Sequence, residues 1–278
     1  MPSVLFTAST FSHIISFHLP YLRRFRELGW QVDVACGGVM RDIPFADAVV
    51  ALPLEKKISA PSNFRAASLL RRRMEREHYD LVVTHTTLAA FFTRWAMRGM
   101  RTRPRVVDVV HGYLFDDGTQ GLKRLLLTEA ERLTAPQTDL LLTMNAWDTQ
   151  WAAAHHAAAR VEEIPGMGVD LSRFQAPEEK RQAMREKLGL AEQDVALIYP
   201  AEFGPRKDQA TLLRAMPLLP QEVKLILPGR GALLAQCRAM AYSSVVLPPP
   251  PTSETTWPFS ARNGNSVSRI ISDSRPQP

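Results

Sequence analysis

The chain has 278 residues, 45% of them hydrophobic and 22% charged, with a net charge of +6. That is room for about two domains with a sizeable core, and the composition is that of a soluble globular protein. It excludes a membrane-spanning protein, because no stretch reaches the roughly 18 uninterrupted apolar residues that a span needs; the N-terminus lacks a basic start and reads as structure rather than as a signal peptide.

Strand and helix patterns alternate along the chain. Ser3–Ala8 (SVLFTA) predicts a strand, followed by a helical pattern from about His18 to Leu28 that Gly29 ends. Gln31–Cys36 and Ala48–Pro53 predict two more strands, and Asn63–Glu77 a basic helix. Asp80–His85 is a strand leading into an apolar helix that runs through Met97. Arg105–Val110 is a strand that delivers His111 and Gly112. A helix near Gly121–Leu133, a strand at Thr138–Met144 and a helix over Asn145–Ala158 complete this part. Such alternation predicts parallel βαβ units in a doubly wound α/β sheet. Ligands bind such sheets at the carboxyl ends of the strands. The rule points to Ser9–His13, His85–Thr87, His111–Tyr113 and Asn145.

The glycines and proline of Ile164–Phe174 (IPGMGVDLSRF) mark a boundary. Beyond it come a charged helix, Pro177–Leu188, a strand, Asp194–Pro200, and a loop entering a helix from about Lys207. A strand at Glu222–Leu227, a glycine turn and a helix to about Ala241 follow. The expected organisation is one domain over 1–163, a partial domain over 164–241, and a Pro/Ser-rich tail over 242–278 that should be disordered.

Between Arg65 and Arg105 there are ten arginines against three acids. This is read as a solvated helix face or as a contact for an anionic membrane surface. No nucleic-acid partner is expected, since no known module is present and aromatics are not interleaved with the charges. Cys36 and Cys237 have no motif spacing, so both are expected to be reduced and buried in a cytoplasmic protein.

Three places could carry chemistry. The loop Thr7–His18 (TASTFSHIISFH) brings Ser12 and His13 to a helix start, where anions bind; the same residues serve equally as a helix cap. His111 ends a strand and could hydrogen-bond a ligand or act as acid or base, although a lone histidine is commonly structural. Arg206 and Lys207 could hold a diphosphate, or be solvated loop charges. His155-His156 lacks further ligands, and there is no cysteine cluster, HExxH, P-loop or GxSxG, so a zinc site or hydrolase triad has little support.

Taken in order, SHIISFHLPYLRRFRELGWQVDVACGG, DLVVTHTTLAAFFTR, VVHGYLF, TDLLLTMNAWD, IPGMGVDLSRF and AEFGPRKDQATLLRAM resemble the family-4 glycosyltransferases, in their bacterial exopolysaccharide and capsule branch. The resemblance runs from about Val4 to about Met240. It implies a GT-B fold, here a complete N-terminal Rossmann-like domain and an incomplete C-terminal one. It implies retaining transfer from a nucleotide-sugar to a lipid-linked or saccharide acceptor, with no metal or other cofactor, at the inner face of the cytoplasmic membrane. Carried over by motif, His111 is catalytic, Ser12, His13 and Lys207 meet the donor, and Gly229 lies beside the donor cleft; Arg206 is assigned to the donor as the cation next to Lys207, and His85 and Asn145, at strand ends, to the acceptor. Glu202 stands where the family usually has an arginine. The family's pair of glutamates eight positions apart is missing after Ala241, where the tail holds only Glu254. The chain is therefore expected to be truncated, as by a frameshift, and inactive or impaired. The alternatives are a non-catalytic remnant that binds acceptor or a partner, and a sugar-nucleotide epimerase, which should show acidic catalytic residues.

Overall fold

The structure is a computed structural model that describes residues 1–55 and 57–243. The tail expected to be disordered, with Glu254, lies outside the described residues from position 244 on. Two compact units are present, Met1–Val169 and a second from Asp170 on.

In the first unit the strands are β1 (Ser3–Ala8), β2 (Gln31–Gly37), β3 (Ala48–Leu52), β4 (Leu81–His85), β5 (Arg105–Val109), β6 (Leu140–Thr143) and β7 (Arg160–Glu163). The helices are α1 (Phe11–Phe17), α2 (Leu19–Glu27), α3 (Pro61–Glu77), α4 (Thr87–Ala96), α5 (Gly121–Thr134) and α6 (Ala146–Ala154). All seven strands are parallel, in the order β3-β2-β1-β4-β5-β6-β7. The chain winds outward from β1 through β2 to β3, then returns to place β4 on the other side of β1. That reversal is the topological switch point, where open α/β sheets bind ligands.

β1 is buried at every position, as a central strand with both faces covered must be. Its side chains alternate. Val4, Phe6 and Ala8 pack with Phe11, Ile14 and Leu22 of α1 and α2, while Leu5 packs with Ala66, Leu70 and Phe92 of α3 and α4. β7 was not legible in the sequence. Its residues, Arg-Val-Glu-Glu, are charged and half-exposed, as suits an edge strand that must not recruit another chain.

The helix expected from about His18 to Leu28 forms as α2, and a further helix, α1, precedes it. Pro20 lacks the N–H that would continue the ladder. His18 sits at the junction, its N–H bonding Ile14 O at 2.8 Å and its carbonyl accepting from Tyr21 and Leu22 at 3.0 Å. This break aims the His18 side chain.

The second unit contains α7 (Glu178–Leu188), β8 (Val195–Ile198), α8 (Gln209–Ala215), β9 (Val223–Ile226) and α9 (Leu234–Ser243), with β8 and β9 parallel. Phe203, Leu213, Met216, Leu225, Leu227 and Cys237 form its core. Gly229 is indispensable there: a Cβ would lie 1.9 Å from Ala201 O. Gly231, at φ +150°, would place one 2.3 Å from Phe203 O. Gly229→Ala is therefore expected to destabilise this unit by about 3 kcal/mol or more, because a backbone carbonyl must move. Faster hydrogen exchange at the β8 and β9 amides would report it; protection equal to wild type would contradict it.

Candidate functional site

The loops after β1 and β4 are tied together. Ser9 N–H donates to Thr86 Oγ1 at 2.9 Å, and the two hydroxyls lie 2.6 Å apart. Thr86 holds φ +66°, a conformation that a β-branched residue adopts only when its surroundings impose it. The cap of α1 is Thr10, whose Oγ1 accepts from His13 N–H at 3.4 Å. Ser12 is exposed, with its hydroxyl 3.0 Å from that of Thr10.

At the switch point four imidazoles converge. His85 ends β4 on the Phe6 face, and the two rings stack at 6.1 Å. His18 lies against His85, with centroids 3.6 Å apart and planes at 25°. His13 stands 5.0 Å from His18 and meets His111, which follows β5, at 4.7 Å edge to face. One ligand nitrogen from each ring lies within 4.8 Å of the others. His18 and His85 are 0% and 2% exposed, His13 is half-buried, and His111 is on the rim.

His13, His85 and His111 were singled out in the sequence, and the structure brings them together. His18 was missed. In an unbroken helix residues five apart point about 140° from one another, so His13 and His18 would not share a face. Only the Pro20 break could have signalled otherwise. His85 was expected to meet an acceptor, but it is buried beneath His18 and supports the site from below.

Burial, and the nearness of other rings, disfavours a charge on each histidine. Burial and then His111 lower the His13 pKa to about 4. Burial and then His13 and His111 lower that of His18 to about 3. His85 is pushed well below the ordinary value by burial and then His18, and His111 is lowered by burial. At neutral pH the site is four uncharged rings. The unfolded chain takes up protons below pH 6.5 that these folded rings refuse, so their contribution to stability is complete above that pH and is lost as pH falls toward 4. Asp108 works in the opposite sense, since burial raises it to about 6 and the folded state takes its proton first. With at least two rings outweighing one carboxyl, urea midpoints should fall between pH 6.5 and 5. Each uncompensated ring steepens the loss by up to about 1.4 kcal/mol per pH unit. A midpoint constant over that window would contradict the arrangement.

Behind the rings lies a buried ionic group. Arg94 of α4 is 0% exposed. It donates to Glu131 Oε2 of α5 at 2.9 Å and lies 3.3 Å from Asp108 Oδ2 of β5. Asp108 receives no well-directed hydrogen bond, which fits its raised pKa. The arginine-rich stretch is thus less of a cationic face than its count suggests. Arg73 pairs with buried Asp33 at 2.6 Å, and Arg71, Arg76 and Arg103 pair with Glu75, Glu77 and Asp139. Arg65, Arg72, Arg98, Arg101 and Arg105 are exposed.

The remaining sequence candidates each have a local setting of their own. Asn145 caps α6, its Oδ1 accepting from Asp148 N–H at 2.9 Å and its Nδ2 donating to Asp148 at 2.8 Å. Arg206 and Lys207 are exposed in a turn closed by Lys207 N–H to Gly204 O at 3.0 Å. Tyr199 donates its hydroxyl to Lys207 O at 3.2 Å. Asp208 is left-handed at φ +45°, so α8 begins at Gln209 and not at Lys207. Gly229 serves the close approach described above.

Among the described residues no helix is long and apolar enough to cross a membrane. Residues 21–173 match the sequence profile of Glycosyltransferase Family 4. EpsD of Bacillus subtilis (strain 168), named as a glycosyltransferase, is 32% identical over 237 residues, covering 83% of this chain and 62% of EpsD. The Escherichia coli UDP-Gal:alpha-D-GlcNAc-diphosphoundecaprenol alpha-1,3-galactosyltransferase is 26% identical over 188 residues, 64% of this chain and 48% of that protein. Among solved structures, Anabaena Alr3699/HepE in complex with UDP and glucose aligns with a TM-score of 0.63 at 16% identity, covering 87% of this chain and 66% of that one; at this identity the likeness concerns the fold. The chain spans less than two thirds of the length of these relatives. His85 and His111 fall inside the matched segment, His13 and His18 just before it, and with more than half of its length matched the chain belongs to Glycosyltransferase Family 4 and has a GT-B type α/β fold.

Proposed function

We propose that this chain acts in cell-surface polysaccharide assembly, transferring a sugar from a nucleotide-sugar to a lipid-linked or saccharide acceptor. The observation that carries this reading is the meeting of His13, His18, His85 and His111 at the switch point of a family-4 sheet. A relative named for UDP-Gal and a diphosphoundecaprenol acceptor supports the substrate classes, as does a similar fold holding UDP and glucose.

His111, on the rim and uncharged at neutral pH, is the group placed to hydrogen-bond the reacting sugar. Ser12 and His13 approach the donor phosphates from the loop after β1. In the second unit Arg206 and Lys207, two exposed cations, suit a diphosphate through charge-assisted hydrogen bonds, with the Gly229 turn shaping the adjoining backbone. Asn145 is the acceptor-side amide, and His85 acts there through the ring that covers it. Among the described residues the second unit offers a two-stranded sheet, a small platform for a nucleotide. Donor turnover by this chain is accordingly expected to be slow.

The test is a product assay with UDP- and GDP-sugars and a polyprenyl-diphosphate saccharide. Transfer, however slow, supports the reading. Epimerised sugar nucleotide with no acceptor consumed would replace it with the epimerase. Acceptor binding without donor binding would replace it with a binding remnant. The exposed arginines of 65–105 further support a peripheral contact with an anionic membrane. Vesicle binding should then weaken with salt, and binding indifferent to salt and to anionic lipid would remove that contact from the account.

A further inference from the structure

We infer that the leucine face of α5 enters the surface of an anionic bilayer and holds the carboxyl end of the sheet beside it. The inference deepens the lipid-linked arm of the proposed function and rests on that reading for its purpose. Helices α3, α4 and α5 lie side by side over one face of the sheet. Phe92 of α4 meets Phe64 of α3 with ring centroids 5.3 Å apart, and Arg94 reaches from α4 to Glu131 of α5. α5 turns Glu131 and Thr134 inward. Its other side carries Leu122, Leu125, Leu126 and Leu133, which are 47–69% exposed. At about 100° per residue these four fall within an arc of roughly 100°. A surface helix keeps its apolar stripe for the core, so a stripe of leucines turned to solvent marks a contact.

Charge selects the partner. Glu129, which lies within the stripe, is tied to Arg132 at 3.0 Å. On the same helix layer Arg65, Arg72, Arg98 and Arg101 are exposed, and among the described residues they make no ion pair. A second copy of the chain on this face would bring two such arginine sets together, which like charge opposes. An anionic lipid surface attracts them. The aromatic residues fit the same partner. Phe64 is exposed, and Trp95 is half-buried with the Arg98 guanidinium 4.6 Å from its ring centre. An apolar body with a charged tip beside it suits headgroup depth. Position gives the contact its use. α5 follows β5 in a parallel crossover, so its first turn, with Leu122, stands at the carboxyl end of the sheet, the end that carries His111. An acceptor anchored in that bilayer reaches this end of the sheet without leaving the lipid. The arginines of 65–105 draw the chain to the surface, and the leucines, outside that stretch, hold it there.

The experiment is sedimentation of the 278-residue chain with phosphatidylcholine vesicles, alone or mixed with phosphatidylglycerol. Wild type should bind the mixed vesicles. Leu125→Ser/Leu126→Ser should weaken that binding about tenfold or more, because two apolar side chains lose their burial in lipid. Both positions are exposed, so the fold is retained, and circular dichroism checks it. Leu218→Ser removes a leucine that is 85% exposed in the second unit and should leave binding unchanged. A polarity-sensitive fluorophore on Leu126→Cys should shift to the blue on the mixed vesicles, with Cys36 and Cys237 buried and unlabelled; this readout keeps the test decisive if the serine pair fails to fold. The inference is overturned if wild type ignores the mixed vesicles, if the folded serine pair binds them as wild type does, or if Leu218→Ser weakens binding equally. It is also overturned if the probe stays in water on the bound chain, or if wild type is a dimer that the serine pair dissociates, which would give the face to a second copy. No readout uses donor or acceptor, so transfer to a soluble saccharide can succeed while this inference fails, and the reverse.

Discussion

Arg94→Ala is expected to lower the stability of the first unit by about 3–5 kcal/mol, the penalty for removing one partner from a buried ion pair. The reasoning starts from burial. The Arg94 side chain is 0% exposed and stands between Asp108 and Glu131, at 2% and 4%. Its Nε also donates to Ala90 O at 3.2 Å. Without the guanidinium, two carboxyls face each other in a dry space, and both must be neutralised or hydrated. Adding Glu131→Gln to Arg94→Ala should recover part of the loss, since one of the two carboxylates is then gone. Urea unfolding followed by circular dichroism would measure both variants. A loss below about 1 kcal/mol for Arg94→Ala would show that the group is open to water and that its charges are screened. The consequence reaches the site, because Asp108 lies on β5 three residues before His111. A loosened β5 end would carry His111 with it.

His111→Ala is expected to lower the rate of sugar transfer about 100-fold or more while leaving donor affinity nearly unchanged. That is the pattern for a group whose hydrogen bond strengthens in the transition state. The ring is exposed and makes no buried hydrogen bond, so stability should change by no more than about 0.5 kcal/mol. His111→Asn, which keeps a hydrogen-bonding side chain, should retain part of the rate. The comparison is made with enzyme in excess over labelled donor, so that slow chemistry still registers. Equal rates for wild type and His111→Ala would remove His111 from the reaction.

Much of the fold could be read in the sequence, because parallel strands buried on both faces write themselves as apolar runs. SVLFTA and DLVVTH are examples, and the rule that ligands gather at their carboxyl ends selected His13, His85 and His111. β7 was lost because an edge strand needs no apolar run. His18 was lost because the helical pattern from His18 to Leu28 appeared to start there, whereas the Pro20 break makes it the hinge between two helices. The arginine stretch was legible only as a count. Charge counts do not reveal that Arg94 and Arg73 reach inward to acids on other elements. Gly229, assigned to donor binding on resemblance, has a reason for being glycine that only the Ala201 carbonyl discloses.

The claim on which the site rests is that four rings pack together, uncharged, at the switch point. Its most direct test is a pH titration of the imidazole nitrogens by 15N NMR. His13 should titrate near pH 4 and His18 near pH 3, or both should stay neutral down to the onset of acid unfolding. Midpoints for these two rings close to 6.5 with the fold intact would mean that they stand apart in water, and would contradict the account.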